Sequence, residues 1–187
     1  MRTVSIVSNP PPVFEALSYV WGRDDPRELV RIAGVHIAVR DNLAGALRHL
    51  RYTNKPRTLW TDALCINQDD LAERSSQVAL MGDIYRSATR VVVWLGVESE
   101  DSNGAMNLMD KLGSMVTFDF VTREITPTEL GKSDPEWAHG KLPFSMSELS
   151  SIYNLVSREW FERIWVRQEI SLANDEAVIM CGAGVTT

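Results

Sequence analysis

The sequence predicts an α/β domain with a mostly parallel sheet flanked by helices. Three observations carry that expectation. Strand-like and helix-like runs alternate along the chain, the pattern of a parallel sheet wound with right-handed crossovers. The run "RVVVWLGV", residues 90–97, is apolar on both alternating faces, as a central strand covered on both sides requires. Helical periodicity is equally clear: Leu43, Ala46, Leu47 and Leu50 recur at i, i+3, i+4 and i+7.

Residues 1–13, with "NPPP" near their end, read as an arm. "FEALSYVWG", 14–22, reads as a strand closed by Gly22. "LVRIAGVHIAVR", 29–40, reads as a hairpin turning at Ala33-Gly34. Asp41 or Asn42 is positioned to cap the helix that follows. "TLWTDALCINQDD", 58–70, reads as a strand through Ile66, with Asp62 inside it on the same face as Trp60 and Leu64. Asp70 and Glu73 have capping-box spacing. The next helix shows Val78, Met81, Tyr85 and Ala88 on one face, with Leu80 and Ile84 beside them. "ESEDSNG" opens a loop and a helix over 103–116, and residues 117–144, with Pro127, Pro135 and Pro143, read as an irregular insertion. Ser145 and Glu148 repeat the capping-box spacing ahead of a helix with Leu149, Ile152, Tyr153 and Val156. "SREWFERIWVRQEISLA" reads as helical with Phe161, Trp165 and Leu172 on its buried face, and "EAVIMCG", 176–182, as the last strand.

Composition bounds the function. The chain has 187 residues, 44% of them apolar, enough for one domain with a sizeable core. A net charge of -6 argues against a nucleic-acid backbone as the main partner. No apolar run approaches the roughly 20 residues of a membrane span, and the start lacks the apolar core of a secretory signal. Cys65 and Cys181 both lie in strand-like apolar contexts, which predicts two buried reduced thiols. Three scattered histidines, with no Cys or His pair at ligand spacing, predict no metal centre. No cofactor is expected.

In open parallel sheets, ligands bind outside the carboxyl ends of the strands. This sequence puts Tyr19, Trp21, Gly22 and Arg23 at one strand end, Asn67, Gln68 and Asp69 at a second, and Gly96 and Glu98 at a third. An aromatic plate, a glycine for close approach, a guanidinium and two amides suit a base or ribose with a phosphate nearby. The same residues also end strands for plain turn reasons. Neither a Rossmann nor a P-loop glycine pattern is present. Asp62 reads first as a buried carboxylate paired with an Arg, an indole N–H or backbone donors, and second as a ligand contact. Glu169 lies one helical turn beyond Trp165, where partial burial would raise its pKa. Its plain alternative is a surface Glu paired with Arg163, with Arg163 and Arg167 on a solvated face.

The motifs "FEALSYVWG", "NLAGALRHLR", "LWTDALCINQDD", "ERSSQVALMGDIYRSATRVVVWLG" and "REWFERIWVRQE" follow one another in order. Together they resemble the HET domain of fungal heterokaryon-incompatibility proteins, over about Phe14 to Gly182. Thr61 and Arg167 depart from that pattern, where apolar residues are usual. The resemblance implies a HET domain over 14–187 that heads a longer protein. It also implies a cytoplasmic cell-death effector in non-self recognition, working with fused or separate sensor proteins.

HET domains are remotely similar to Toll/interleukin-1 receptor (TIR) domains, which have a flavodoxin-like sheet; some TIR domains cleave NAD. That likeness implies a TIR-like sheet with an insertion over 98–157. It implies Glu169 as the catalytic carboxylate, four residues after Trp165. NAD or a related nucleotide would be the substrate, held by Tyr19, Trp21, Gly22, Arg23, Asn67, Gln68 and Trp165, with homo-oligomers as the active form. A non-enzymatic self-associating module, or an enzyme on another nucleotide, are the alternatives. The catalytic reading makes one geometric demand. In an unbroken helix from Arg158, Glu169 would stand about 16 Å from the start, far from the sheet edge. A break near Phe161 to Ile164 is therefore required.

Overall fold

The computed structural model describes residues 3–119, 121–134 and 144–186. Pro135 and Pro143 of the expected insertion lie outside the described residues. The chain forms two compact units: Met1–Val97 with Glu159–Val185, and Glu98–Arg158 with Thr186.

The first unit is built on a five-stranded sheet. Its members are β1 (Glu15–Tyr19), β4 (Leu59–Trp60), β5 (Arg90–Trp94), β8 (Val178–Cys181) and β9 (Gly184–Thr186), in the order β4-β1-β5-β8-β9. The β1 strand pairs in parallel with β4 and β5, and β5 with β8. Only Gly182 and Ala183 join β8 to β9, too short a link for a parallel crossover. The sheet is therefore mixed and mostly parallel, as the alternating pattern predicts. Val91 to Trp94 are all buried, which is why that run carries no polar face.

Successive residues of β1 point to opposite faces of the sheet. Leu17 and Tyr19 join Val92 and Trp94 on one face, against Leu43, Ala44, Ala46 and Leu50 of α1 (Asp41–Leu50). Ser18 points the other way. Neither Asp41 nor Asn42 stands at the N-cap of α1: Arg40 does, without a capping bond, and Asp41 Oδ1 accepts from Asn42 N inside the first turn at 2.7 Å. Asn42 is occupied elsewhere. Its Oδ1 accepts from Trp94 Nε1 at 2.9 Å, and its Nδ2 donates to the Val20 carbonyl at 2.6 Å. A buried indole N–H needs an acceptor more than a helix end open to water does.

The β2 (Arg27–Ile32) and β3 (Val35–Arg40) strands form a separate hairpin. It turns at Ala33 and Gly34, with φ of 50° and 87°. Two positive φ values make the type I′ turn that matches strand twist.

The stretch 58–66 corrects the sequence reading. Only Leu59–Trp60 is strand; Asp62–Cys65 is a one-turn helix, α2. Asp62 therefore leads a helical turn and does not share a strand face with Trp60 and Leu64. Local hydrogen bonds win over the ladder here. Asp62 Oδ1 accepts from Ala63 N at 2.7 Å, and the Thr61 carbonyl accepts from Cys65 N at 2.8 Å. The turn leaves Cys65 exposed; only Cys181 is buried.

Next comes α3 (Leu71–Ser87), with Asp70 capping Ala72 N and Glu73 N at 2.9 and 3.0 Å. Glu73 reaches back to Asn67 N, not to Asp70, so half of the capping box forms. The buried face is Met81, Ile84, Tyr85 and Ala88; Val78 and Leu80 are exposed.

Residues 159–172 are not one helix. A 3-10 turn, Glu159–Glu162, precedes α7, Val166–Ser171. Phe161 and Trp165 are exposed, and the residues turned inward are Trp160, Val166 and Glu169.

The second unit holds α4 (Ser102–Met115), a hairpin of β6 (Val116–Phe118) and β7 (Ile125–Pro127), α5 (Glu129–Ser133) and α6 (Met146–Val156). The segment read as irregular thus has a hairpin and a helix. Ser145 and Glu148 complete their capping box.

Asn42 gives a stability test. Asn42→Ala leaves Trp94 Nε1 and the Val20 carbonyl unpaired, at about 1–3 kcal/mol for each group. Urea denaturation should show the loss, and it should shrink in a Trp94→Phe background, where the indole donor is gone.

Candidate functional site

Unit one gathers its ionisable groups at the carboxyl end of β1. Ser18 turns toward α3 and α7, and its hydroxyl donates to Glu169 Oε2. Trp160, from the 3-10 turn, donates Nε1 to Ser18 Oγ at 2.8 Å. The relay indole–hydroxyl–carboxylate fixes the Glu169 rotamer. Tyr85 of α3 donates to the Leu17 carbonyl at 3.1 Å and faces Glu169 as well. Glu169 itself is 2% exposed.

Arg163 lies in the break between the 3-10 turn and α7. Its Nη1 donates to the Tyr19 carbonyl, the last of β1, at 2.5 Å. Its Nη2 stands 3.8 Å from Glu169 Oε1. The same guanidinium acts electrostatically on Asp62. Asp62 Oδ2 accepts from Trp21 Nε1 at 2.7 Å, and the Tyr19 phenol lies close enough to act on it electrostatically. The Gln68 side chain holds the Asp62 carbonyl at 2.9 Å. Two carboxylates thus share one arginine.

Burial dominates their electrostatics. It raises the Glu169 pKa above the ordinary value of 4.5; Ser18 and Arg163 pull it back, and the Asp62 charge pushes it up further. Burial likewise raises Asp62 above its ordinary 3.8, opposed by Trp21, the Ala63 N–H, Arg163 and Tyr19. Tyr19 and Tyr85 are pushed far up, first by burial. A carboxyl whose pKa is raised by burial is suited to acid–base work, and in its ionised form it can stabilise a developing cation.

The residues expected from sequence divide into two groups. Glu169, Asp62, Tyr19, Trp21 and Gln68 do converge. Their roles differ from a stacking pocket, however. Tyr19 is 3% exposed with its ring in the core, and cannot act as a plate. Trp21 has its N–H on Asp62 and the Arg40 guanidinium over its ring at 5.0 Å. Gly22, at φ 73°, makes the turn and gives its carbonyl to Arg40 Nη1 at 3.1 Å. Asn67 is exposed and builds a turn, accepting from Asp69 N at 3.2 Å. Arg23 is exposed on the loop leaving β1. Trp165 is 51% exposed, and its carbonyl accepts from Glu169 N at 3.1 Å.

Sequence reading missed Ser18, Tyr85, Trp160 and the inward role of Arg163. Ser18 had a signal: it is the one aliphatic hydroxyl among the buried residues of "EALSY". Among the described residues no group of acids, histidines and cysteines could hold a metal, and no helix is long and apolar enough to cross a membrane.

This arrangement sits inside a recognisable family. The family model for "Heterokaryon incompatibility protein (HET)" matches residues 14–169, most of the chain, so the chain belongs to the HET family. The match ends on Glu169 itself. Among curated proteins, the chain is 34% identical over 206 residues to "Heterokaryon incompatibility protein 6, OR allele" of Neurospora crassa. That alignment covers 96% of this chain and 30% of the relative, so the chain spans under a third of that protein's length. No solved structure matches the chain.

Two predictions follow from the shared arginine and the burial. Removing the like charge with Asp62→Asn should lower the Glu169 pKa, because Asp62 raises it. Carboxyl-carbon NMR titration reads this directly, and an unmoved Glu169 would show that the pair is uncoupled. The second concerns stability. Glu169 binds its proton more tightly folded than unfolded, so its contribution is full below the ordinary 4.5 and is lost as pH rises through the folded value. Glu169→Gln should accordingly raise the melting temperature near pH 8 and change it less near pH 4.

Proposed function

We propose that this chain is an effector domain of fungal non-self recognition that triggers cell death by cleaving NAD at its glycosidic bond. The family and the name of the Neurospora crassa relative support the biological role. The strand order β4-β1-β5-β8-β9 is 2-1-3-4-5 when the strands of that sheet are numbered along the chain. Its parallel part, 2-1-3-4, agrees with the flavodoxin-like order and supports the TIR-like reading, whereas the fifth strand follows the fourth through a two-residue link and is not a parallel crossover strand.

One observation carries the chemistry: Glu169 is a buried carboxylate fixed by Ser18 at the carboxyl end of β1, reached through a break in the helix. The break supplies what an unbroken helix would have denied. In the reaction, the bond from ribose C1′ to the nicotinamide nitrogen breaks and its electron pair neutralises the pyridinium. The ribose becomes oxocarbenium-like, and ionised Glu169 stabilises that charge and holds the ribose hydroxyls. Water adds at C1′ and its proton passes to solvent. The leaving group departs uncharged, so no second acid is needed. Arg163 balances the Glu169 charge at rest, and exposed Arg23 is the group for the diphosphate. Because Glu169 is enclosed, the link Arg163–Trp165 must shift to admit the ribose.

A second reading, self-association without catalysis, rests on that same link. Ile164 is 84% exposed, next to exposed Trp165 and Phe161. Adjacent apolar side chains in the open mark a contact surface. Sensor regions, fused or separate, and homo-oligomers as the active form fit either reading, as does a cytoplasmic location.

The deciding assay incubates concentrated chain with NAD and follows nicotinamide release. Glu169→Gln should reduce the rate by about 100-fold or more. Full activity in Glu169→Gln sinks the site assignment. No release even when the chain is clustered, with cells still killed by its expression, selects self-association alone. Release from a different nucleotide would keep the site and change the substrate.

A further inference from the structure

A groove of about 560 Å³ lies along the β4 edge of the first unit, apart from the carboxylate cluster. Its floor is apolar, with Val30 from β2, Ala44, Leu47 and Leu50 from α1, and Leu59 from β4. Its charged lining has one sign. Arg31, Arg48, Arg51, Lys55 and Arg57 line it, five of the chain's 19 basic side chains, and none of its 25 acidic ones does. On a chain of net charge -6, indifferent sampling of charged residues would favour acids.

Two of the five cations are already neutralised: Arg48 pairs with Glu28, and Arg57 with Glu15. Among the described residues no carboxylate forms an ion pair with Arg31, Arg51 or Lys55. Tyr52 holds the mouth in shape, with Lys55 at 4.7 Å and Arg57 at 4.8 Å from its ring centre. Three unpaired cations over a leucine floor are complementary to one kind of molecule.

We propose that this groove binds a small phosphorylated amphiphile. Its apolar body lies on Leu47, Leu50 and Leu59, and its phosphate meets Arg31, Arg51 and Lys55. Guanidinium forks match phosphate oxygens in pairs, which favours phosphate as the head. The volume falls in the range of about 300–1,000 Å³ typical of pockets for single small ligands. A bilayer surface would meet the rim cations but could not fill the concave floor.

The groove also touches the one-turn helix α2. Leu64 and Cys65 line it, and Asp62 at the other end of the same turn belongs to the carboxylate cluster. An occupant therefore presses on the turn that holds Asp62. The proposal stands whether or not the chain cleaves NAD.

Cys65 makes the test local. It is exposed and lines both this groove and the neighbouring pocket beside Phe14 and Trp60, whereas Cys181 is buried, so alkylation by N-ethylmaleimide reports this end of the groove, and the Arg51 and Lys55 variants tie the protection to the groove itself. The intact chain is titrated with octyl phosphate below its micellar concentration, with octanol and with inorganic phosphate. At ten times its dissociation constant, octyl phosphate should slow Cys65 alkylation about tenfold. Octanol and inorganic phosphate at the same concentration should leave the rate nearly unchanged. The Arg51→Gln, Lys55→Gln double variant should bind octyl phosphate about tenfold or more weakly, with an unchanged melting curve. Equal protection by octanol, no protection at all, or undiminished affinity in the double variant each overturns the proposal. So does cosedimentation with phosphatidic-acid vesicles that depends on the same two cations while octyl phosphate leaves Cys65 unprotected; that result would assign the patch to a membrane surface.

Discussion

The burial of the Glu169 carboxylate governs the architecture around it. A carboxylate withdrawn from water must find donors or give up its charge. Glu169 has a serine hydroxyl, itself held by an indole, and a guanidinium shared with a second acid. Each of these partners imposes something on the backbone. Ser18 must stand on the β1 face away from α1, so its neighbours Leu17 and Tyr19 supply the core on the other side. Arg163 must reach the end of β1, so the chain bends out of a 3-10 turn before α7 begins. Asp62 must face the same arginine, so β4 stops after Trp60 and coils into α2.

Much of the fold was legible because periodicity reports burial. The central strand, Arg90–Trp94 within the apolar run 90–97, the helix from residue 41 and the I′ hairpin at Ala33-Gly34 follow from apolar spacing and turn chemistry alone. Where the reading failed, a polar side chain had found a partner distant in sequence. Asn42 looks like a cap and is an acceptor for Trp94. Asp62 looks like an intruder in a strand and is the head of a helical turn, its carboxylate accepting from the distant Trp21 indole. In "EWFERIWVRQE" the aromatic spacing suggests one continuous buried face, yet the register changes at the break, so Trp160 turns inward and Trp165 outward.

The site shows the same divide. Glu169 and Asp62 could be singled out because acids among apolar residues are costly. That they share Arg163 could not be read, because residues 62, 163 and 169 meet only through the folding of β1 between them. Arg163 and Arg167 are four apart and look alike in sequence. One reaches the Tyr19 carbonyl and the other stays exposed. Tertiary position, which no local pattern encodes, separates them.

The brevity of β4 has a consequence for how copies of this chain can meet. Its ladder to β1 has two registered pairs, Glu15 with Leu59 and Ala16 with Trp60. An edge strand of two residues offers too few free N–H and C=O groups to template an added strand. The open flank of the sheet is thereby blunted against edge-to-edge pairing and the runaway stacking it can seed. Any joining of copies on this side has to be made by side chains fitting side chains, a contact that can be reversed.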